Sequence, residues 1–504
     1  MKGKPDTIAP LDLTLDEVVG FWAKKKPTAH ALAFDVSLAT PALSWQDLED
    51  YIQGLEEEFD RKIVSNDVIG VVCDDSADIH ILLNALWRCG AAVLLINRTW
   101  GDAVVSDLLT LTQCSIVFTS RQIDLPKYPN QNVLMFPKRR MPTHKHARQK
   151  GDPNSVAIYA TTSGTTDDPK CVPITHKQIR SAYHSCLAVR DFSTVKRAAS
   201  MFPLNGIGVL GVCFLLPREM GASTFVLPPF TISTISASWK TLFHHKVDFV
   251  YLVPALVRLL NSLSIQVKTK RNVMAFCAAA PVSLEDLQTL ERKYPITVFN
   301  AYGLTELTFA VFFGCRDDDN LASDSIGFPI GIEAKILDED GTPSDRGELY
   351  LRGPMLTDGY FNNPSATDAV WVAGWLKTGD LAVRNPDGQH FICGRLKDAV
   401  IRGGILFYLH ELEYYFRNAP GVIDVCAFKG RDLPSGDELC AVVHTESAID
   451  RSDLLAWVKQ HIGEEKVPNK LFLWQRELPR NSNGKILRKE LSDMYIDGVL
   501  KDEA

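Results

Sequence analysis

Val68-Ile-Gly-Val-Val-Cys73 and Ala91-Ala-Val-Leu-Leu-Ile96 are two apolar runs, and between them the stretch from Ala77 to Arg88 has an apolar helical face. Runs without polar alternation read as strands covered on both faces, and a helix between two such strands is the crossover that joins parallel neighbours. Gly90 closes the helix. This unit predicts an α/β fold on parallel sheet. Further strands are expected at 114–118, 247–252 and 272–276. From about 326 to 395 short alternating segments with frequent Gly, Pro and Asp read as antiparallel strands and turns, among them 333–337 and 347–351. Beyond Arg395 the pattern turns mixed again, with strands near 424–428 and 439–444 and helices near 410–417 and 451–461. A chain of 504 residues exceeds what one core supports, and the boundary is expected at 395, giving domains over 1–395 and 396–504.

The net charge of -7 argues against nucleic acid or an anionic membrane as the main partner. The basic stretch from Lys138 to Lys150 runs against this; it could be a localisation signal, a polyanion patch or a solvated connector. Eleven cysteines stand singly, with no C-x-x-C pair, as suits buried thiols in a reducing compartment. No apolar run reaches the 18 or so residues that a membrane span needs, and no signal core follows the N-terminus. The expectation is a cytoplasmic protein.

Residues 161–170, Thr-Thr-Ser-Gly-Thr-Thr-Asp-Asp-Pro-Lys, set five hydroxyls around Gly164 and place Lys170 six residues beyond it. Hydroxyl donors, a turn that aims N–H groups and a cation make a phosphate grip; a solvated Ser/Thr turn has the same composition. Two other motifs fail on context. Gly206-Ile-Gly-Val-Leu-Gly211 has dinucleotide-turn spacing, but no acidic residue lies between Ala222 and Lys246 to hold a ribose, and Pro217 is expected to break the helix. Gly484-Lys485 resembles the end of a Walker loop, yet Pro479 and Ile486 occupy positions that must be Gly and Ser/Thr.

Six segments in order carry a resemblance: Thr162-Ser-Gly-Thr-Thr-x-x-Pro-Lys170; Asn300-Ala-Tyr-Gly-Leu-Thr-Glu306; Gly347-Glu-Leu-x-x-Arg-Gly-Pro354 with Gly359-Tyr360; Thr378-Gly-Asp380; Gly394-Arg-Leu-Lys-Asp398; and Pro479-Arg-Asn-x-x-Gly-Lys485. The chain resembles the adenylate-forming enzymes: acyl- and aryl-CoA synthetases, luciferases and nonribosomal peptide synthetase adenylation domains. The resemblance covers nearly the whole chain. It implies a large N-terminal domain of mixed sheets flanked by helices with a β-barrel-like subdomain, and a small mobile α+β C-terminal lid. It implies that a carboxylate attacks the α-phosphate of ATP to give acyl-AMP and pyrophosphate, and that a thiol of CoA or a phosphopantetheinyl carrier protein, supplied in trans, then takes the acyl group.

The resemblance also implies roles. Thr162, Ser163, Gly164, Thr165, Thr166 and Lys170 would grip phosphate. Asn300, Ala301, Tyr302 and Gly303 would hold adenine, although Tyr302 also reads as a core aromatic. Thr305 would touch phosphate and Glu306 would ligate Mg2+, a hard carboxylate oxygen for a hard cation. Asp380 would accept from the ribose hydroxyls and Arg395 would reach ribose or phosphate. Lys397 would be the hinge, Gly403 and Gly404 the thiol-acceptor loop, and Lys485 the catalytic cation at the α-phosphate.

Departures from the family pattern accompany the matches. Asp167 and Asp168 stand where Gly is usual; Pro203-Leu-Asn-Gly206 lacks the pocket histidine; Cys277-Ala-Ala-Ala-Pro281 adds a methyl at 278; Leu406 and Leu409 replace a polar residue and a proline. Phe202-Pro203 supplies no carboxylate for an α-amino group, so a non-amino acid is expected. Candidate pocket residues Asn205, Gly206, Ile207, Gly208, Val209, Ala278, Ala279 and Ala280 are mostly small or apolar, which points to an aryl or medium acyl acid. Two alternatives stay open: an adenylating enzyme with an altered second half-reaction, and a nucleotide-binding pseudo-enzyme.

Overall fold

The computed structural model describes residues 8–502 apart from 35–41, 60–61, 74–77, 98–99, 101, 121–131, 145–149, 163–169, 190, 203, 205, 229, 232, 268, 270, 281, 316–324, 403–404, 434–435 and 481–485. The chain forms two compact units, one of residues 1–333 with 352–376, the other of 334–351 with 377–504.

The first unit holds two sheets. In the six-stranded one, Val68–Cys73 lies between Ala92–Asn97 and Ile116–Thr119, parallel to both, and helix Asp78–Arg88 makes the crossover. Val93, Leu94, Ile69 and Val71 are fully buried, as the uninterrupted apolar pattern requires; each such side chain contributes about 1.5–3 kcal/mol relative to an exposed one. The antiparallel pair Val156–Thr161 and Cys171–Thr175 closes the far edge. The nine-stranded sheet runs Phe328–Pro329, Ala310–Cys315, Ile296–Gly303, Val273–Cys277, Phe249–Leu252, Arg197–Ser200, Ser223–Val226, His30–Phe34, Leu43–Ser44.

Pro217 does not end its helix. Ile207–Leu210 continues through a π-helical turn, Gly211–Leu215, into Leu216–Glu219. A proline leaves the carbonyl four residues earlier without a donor, and here the Thr224 hydroxyl donates to Cys213 O at 3.0 Å. The expected break is thus absorbed by a wide turn and a side-chain bond.

The described part of the basic stretch is a strap. Arg139 Nε lies 2.5 Å from Asp78, Arg140 lies 3.4 Å from Glu58, and the Thr143 and His144 amides donate to Glu57 at 2.8 and 3.1 Å. Its charges answer an acidic helix face.

In the second unit Arg346–Arg352 and His390–Arg395 flank Trp375–Arg384, with Glu333–Leu337 beyond Arg346–Arg352; among the described residues this sheet is open, not a closed barrel. A second sheet, in the order Ile405–Tyr408, Ala399–Arg402, Gly436–Thr445, Val422–Leu433, has Lys470–Trp474 paired parallel to Gly436–Thr445. Helices Leu409–Arg417 and Arg451–Ile462 cover one face, burying Leu412, Phe416, Leu454 and Val458 with Val425, Ala427 and Ala441.

Candidate active site

In the first unit the hydroxyl-rich loop leaves one strand and returns in its antiparallel neighbour. Thr161 and Cys171 are register partners, and Thr162 N donates to Lys170 O at 3.0 Å. The chain ends are thereby held together, while Ser163, Gly164, Thr165, Thr166, Asp167 and Asp168 lie outside the described residues. Lys170 Nζ sits 4.6 Å from the centroid of the Tyr360 ring, a cation–π contact worth about 0.5–1 kcal/mol at an accessible site.

Asn300, Ala301, Tyr302 and Gly303 end the strand Ile296–Gly303. Asn300 pairs in register with Cys277, which brings the segment Ala278, Ala279 and Ala280 beside the segment expected to hold adenine. Asn300 Nδ2 donates to Ser325 O at 3.3 Å, and the Tyr302 ring meets Phe312 edge-on at 5.8 Å. A Cβ on Gly303 would fall 2.3 Å from Phe309 O, so only glycine permits that approach. Ala279 has φ +78° and Thr308 φ +63°, a conformation costing about 1–2 kcal/mol in a residue with a Cβ. Such strain gathers where geometry serves a site. Burial pushes the Cys277 thiol up to about 12, so at neutral pH it is protonated and no nucleophile.

Thr305 opens the 3-10 turn Thr305–Leu307, which carries Glu306. Glu306 Oε1 accepts the Tyr360 hydroxyl at 2.7 Å, and its backbone carbonyl accepts Thr357 N at 2.9 Å. Burial and the neighbouring carboxylate hold the Tyr360 phenol well above its usual range, so it donates throughout the physiological range. Tyr360 was marked by the Gly359-Tyr360 motif, but nothing in the sequence assigned it a task. Among the described residues no cluster of three metal-binding side chains occurs. Glu306 offers one carboxylate and the adjoining Thr305 a hydroxyl, both hard oxygen donors. That fits Mg2+ held by a single carboxylate and completed by phosphate and water.

Gly206 N-caps the helix that carries Ile207, Gly208 and Val209. Cβ atoms built on Gly206 or Gly208 would meet nothing within 4 Å, so this helix start faces open space. Phe202 packs against Phe230 and Tyr251 at 5.2 and 5.3 Å. Asn205 and Pro203 lie outside the described residues.

In the second unit Asp380 and Arg395 are cross-strand partners, with Arg395 Nε 2.8 Å from Asp380 Oδ1. Asp380 is 2% exposed. The Thr378 hydroxyl donates to Leu349 O at 2.8 Å and accepts Asp380 N at 3.1 Å; Gly379, at φ +69°, makes the intervening turn. Arg395 is thus held by the carboxylate expected to take the ribose, a pairing that sequence order did not reveal. Lys397 lies in the turn Leu396–Asp398, and burial, then Arg395, lower its amine from the ordinary lysine range. Arg488 donates to Asp398 at 2.6 Å and to Glu413 at 2.8 Å. Gly403 and Gly404 lie outside the described residues, between the paired Arg402 and Ile405. Lys485 also lies outside them; the flanking Arg480 and Ile486 pair in an antiparallel bridge, Leu487 N donates to Pro479 O at 2.8 Å, and Arg480 is ion-paired with Asp424.

The family model described as AMP-binding enzyme matches residues 21–361. The chain belongs to the AMP-binding enzyme family. Within it, the chain is 32% identical to the sulfoacetate–CoA ligase of Cupriavidus necator over 85% of this chain and 87% of that protein. It is 25% identical to the oxalate–CoA ligase of Arabidopsis thaliana over 96% and 99%. Among solved structures, an anthranilate CoA ligase in complex with anthranoyl-AMP superposes with a TM-score of 0.86 at 18% identity, over 98% of this chain and 99% of that one. The o-succinylbenzoate CoA synthetase of Bacillus subtilis with ATP and magnesium ion gives 0.83 at 22%, over 94% and 98%.

Proposed function

We propose that the protein is an AMP-forming acid–thiol ligase: it activates a non-amino carboxylic acid with ATP, releasing pyrophosphate, and passes the acyl group to the thiol of CoA or of a carrier protein. The observation that carries this reading is that relatives matched along most of their length are CoA ligases.

Charge that builds on the α-phosphate oxygens during attack is met by placed cations, and positioning with electrostatics supplies most of such catalysis. Lys485 is assigned to the α-phosphate, Lys170 to the outer phosphates, Asp380 to the ribose hydroxyls, and Asn300 to Gly303 with Tyr302 to adenine. Glu306 and Thr305 would hold the magnesium ion that accompanies ATP, which supplies neutralisation of phosphate charge. Lys397 is proposed as the hinge of a lid over 396–504 whose rotation exchanges Lys485 for the Gly403–Gly404 loop.

For the acid, the open space at Gly206 and Gly208 and the aromatic packing of Phe202 support an aryl or medium acyl group. Leu409, one of the departures from the family, is 1% exposed in the core of the second unit; packing accounts for it, and it gives no ground for a weakened thiol step. No described helix is long and apolar enough to cross a membrane, and the described cysteines are free thiols; we place the reaction in the cytoplasm. The test is ATP–pyrophosphate exchange across a panel of acids, then thioester detection with CoA and with carrier protein. Exchange with an aryl or medium-chain acid followed by thioester supports the proposal; no exchange with any acid overturns it.

A further inference from the structure

Lys170 and Glu306 carry opposite charges on two segments assigned to the same nucleotide, and a lysine and a glutamate brought together this way would ordinarily pair. They do not. Among the described residues the Lys170 ammonium faces the Tyr360 ring at 4.6 Å, and the Glu306 carboxylate accepts only the Tyr360 hydroxyl, at 2.7 Å. One side chain thus stands between the two charges, touching the cation with its face and the anion with its tip.

The placement of that ring is closed by a circuit of contacts. Tyr360 meets the Trp371 ring edge-on at 5.1 Å, Trp371 Nε1 donates to Thr357 O at 2.9 Å, and Thr357 N donates to Glu306 O at 2.9 Å. Tyr360 N donates to Thr367 Oγ1 at 2.9 Å. The backbone that carries the carboxylate and the ring that restrains it are therefore referenced to one another.

We propose that Tyr360 is a positioning residue whose ring and hydroxyl keep Lys170 and Glu306 from neutralising each other, so that both charges stay available to a magnesium nucleotide. This rests on the assignment of Glu306 to the metal and Lys170 to phosphate. A direct Lys170–Glu306 pair would occupy the carboxylate that the cation needs and the ammonium that the phosphates need. The neutral phenol holds both without cancelling either.

The test uses the full chain carrying Tyr360→Leu, Tyr360→Phe, Lys170→Met and the double variant Tyr360→Leu/Lys170→Met. Two quantities are read: ATP affinity by calorimetry in EDTA, which needs neither metal nor turnover, and the Mg2+ concentration giving half-maximal pyrophosphate exchange. In Tyr360→Leu the freed charges pair, so metal-free ATP affinity falls roughly 3- to 10-fold and the Mg2+ requirement rises by a similar factor. Adding Lys170→Met removes the competing ammonium and returns the Mg2+ requirement to within about twofold of Lys170→Met alone. Tyr360→Phe keeps the platform under Lys170 but frees Glu306, so its metal-free ATP affinity stays within about twofold of wild type while its Mg2+ requirement rises more than about twofold; this pair of readouts carries the test if the leucine variant fails to fold, and an unchanged Mg2+ requirement would overturn the role of the hydroxyl. Unchanged values in Tyr360→Leu, a double variant no better than Tyr360→Leu, or a Tyr360→Phe that loses metal-free affinity would each overturn the spacer role. A wild type that binds ATP but exchanges no pyrophosphate would instead count against the ligase reading, with the calorimetric comparison still decisive for Tyr360.

Discussion

Gly208 and Gly211 lie one helical turn apart and are expected to respond oppositely to the same added methyl group. A Cβ on Gly208 meets nothing within 4 Å, whereas on Gly211 it would lie 2.8 Å from the Tyr183 hydroxyl and 3.4 Å from Phe309. Gly208→Ala should therefore gain helix propensity, up to about 1 kcal/mol, and Gly211→Ala should lose about 1–3 kcal/mol through overpacking. If the space at Gly208 receives the acid, Gly208→Leu fills it and costs about 0.8 kcal/mol for each methylene excluded, about fourfold in kcat/KM. The assay is pyrophosphate exchange over a ladder of straight-chain and aromatic acids, with thermal denaturation run in parallel. The expected result is a preference shifted to shorter acids, an unchanged KM for ATP and a melting temperature no lower than wild type. An unaltered size ladder in a folded Gly208→Leu protein would refute the placement of the acid at this helix start.

Three further outcomes are expected. Lys485→Ala should lower acid-dependent exchange by about 100-fold or more, as the loss of one transition-state donor does; wild-type rates would remove it from the reaction. Asp380→Asn removes the charged acceptor proposed for the ribose and the negative charge that Arg395 faces, so the KM for ATP should rise about 10- to 100-fold, read from ATP titrations of the exchange rate. Lys26, half-buried and facing Lys196, is pushed down to about 8 from the usual 10.5, first by burial. Between those pH values the unfolded chain holds more protons than the folded one, so this group makes stability rise with pH. Wild type should gain melting temperature relative to Lys26→Met as pH is raised from 8 to 10.5, and parallel curves would contradict this.

Much of the architecture was legible because the deciding elements are local. The strand–helix–strand run from 68 to 97, the alternation over 333–337 and the helices at 409–417 and 451–462 follow from side-chain period alone. The helix through Pro217 was not legible, because the donor that replaces its missing N–H is Thr224, on a strand that folds back against it. The edges of the two compact units pass through strands at 333, 352 and 376, and periodicity does not say which core a strand joins. For the candidate site, motif order named Glu306, Lys170 and Asp380, residue types that carry the charge the proposed chemistry needs. The Tyr360 bridge between Lys170 and Glu306 and the Asp380–Arg395 pair are contacts across sequence separation, and only the fold brings them together.

The central claim is formation of an acyl-adenylate, and mass spectrometry of a quenched reaction of the protein with ATP, Mg2+ and its preferred acid, with no thiol present, tests it most directly. The account predicts acyl-AMP and pyrophosphate in equal amounts, dependent on the acid. ADP and inorganic phosphate as the products, or nucleotide turnover indifferent to the acid, would contradict it.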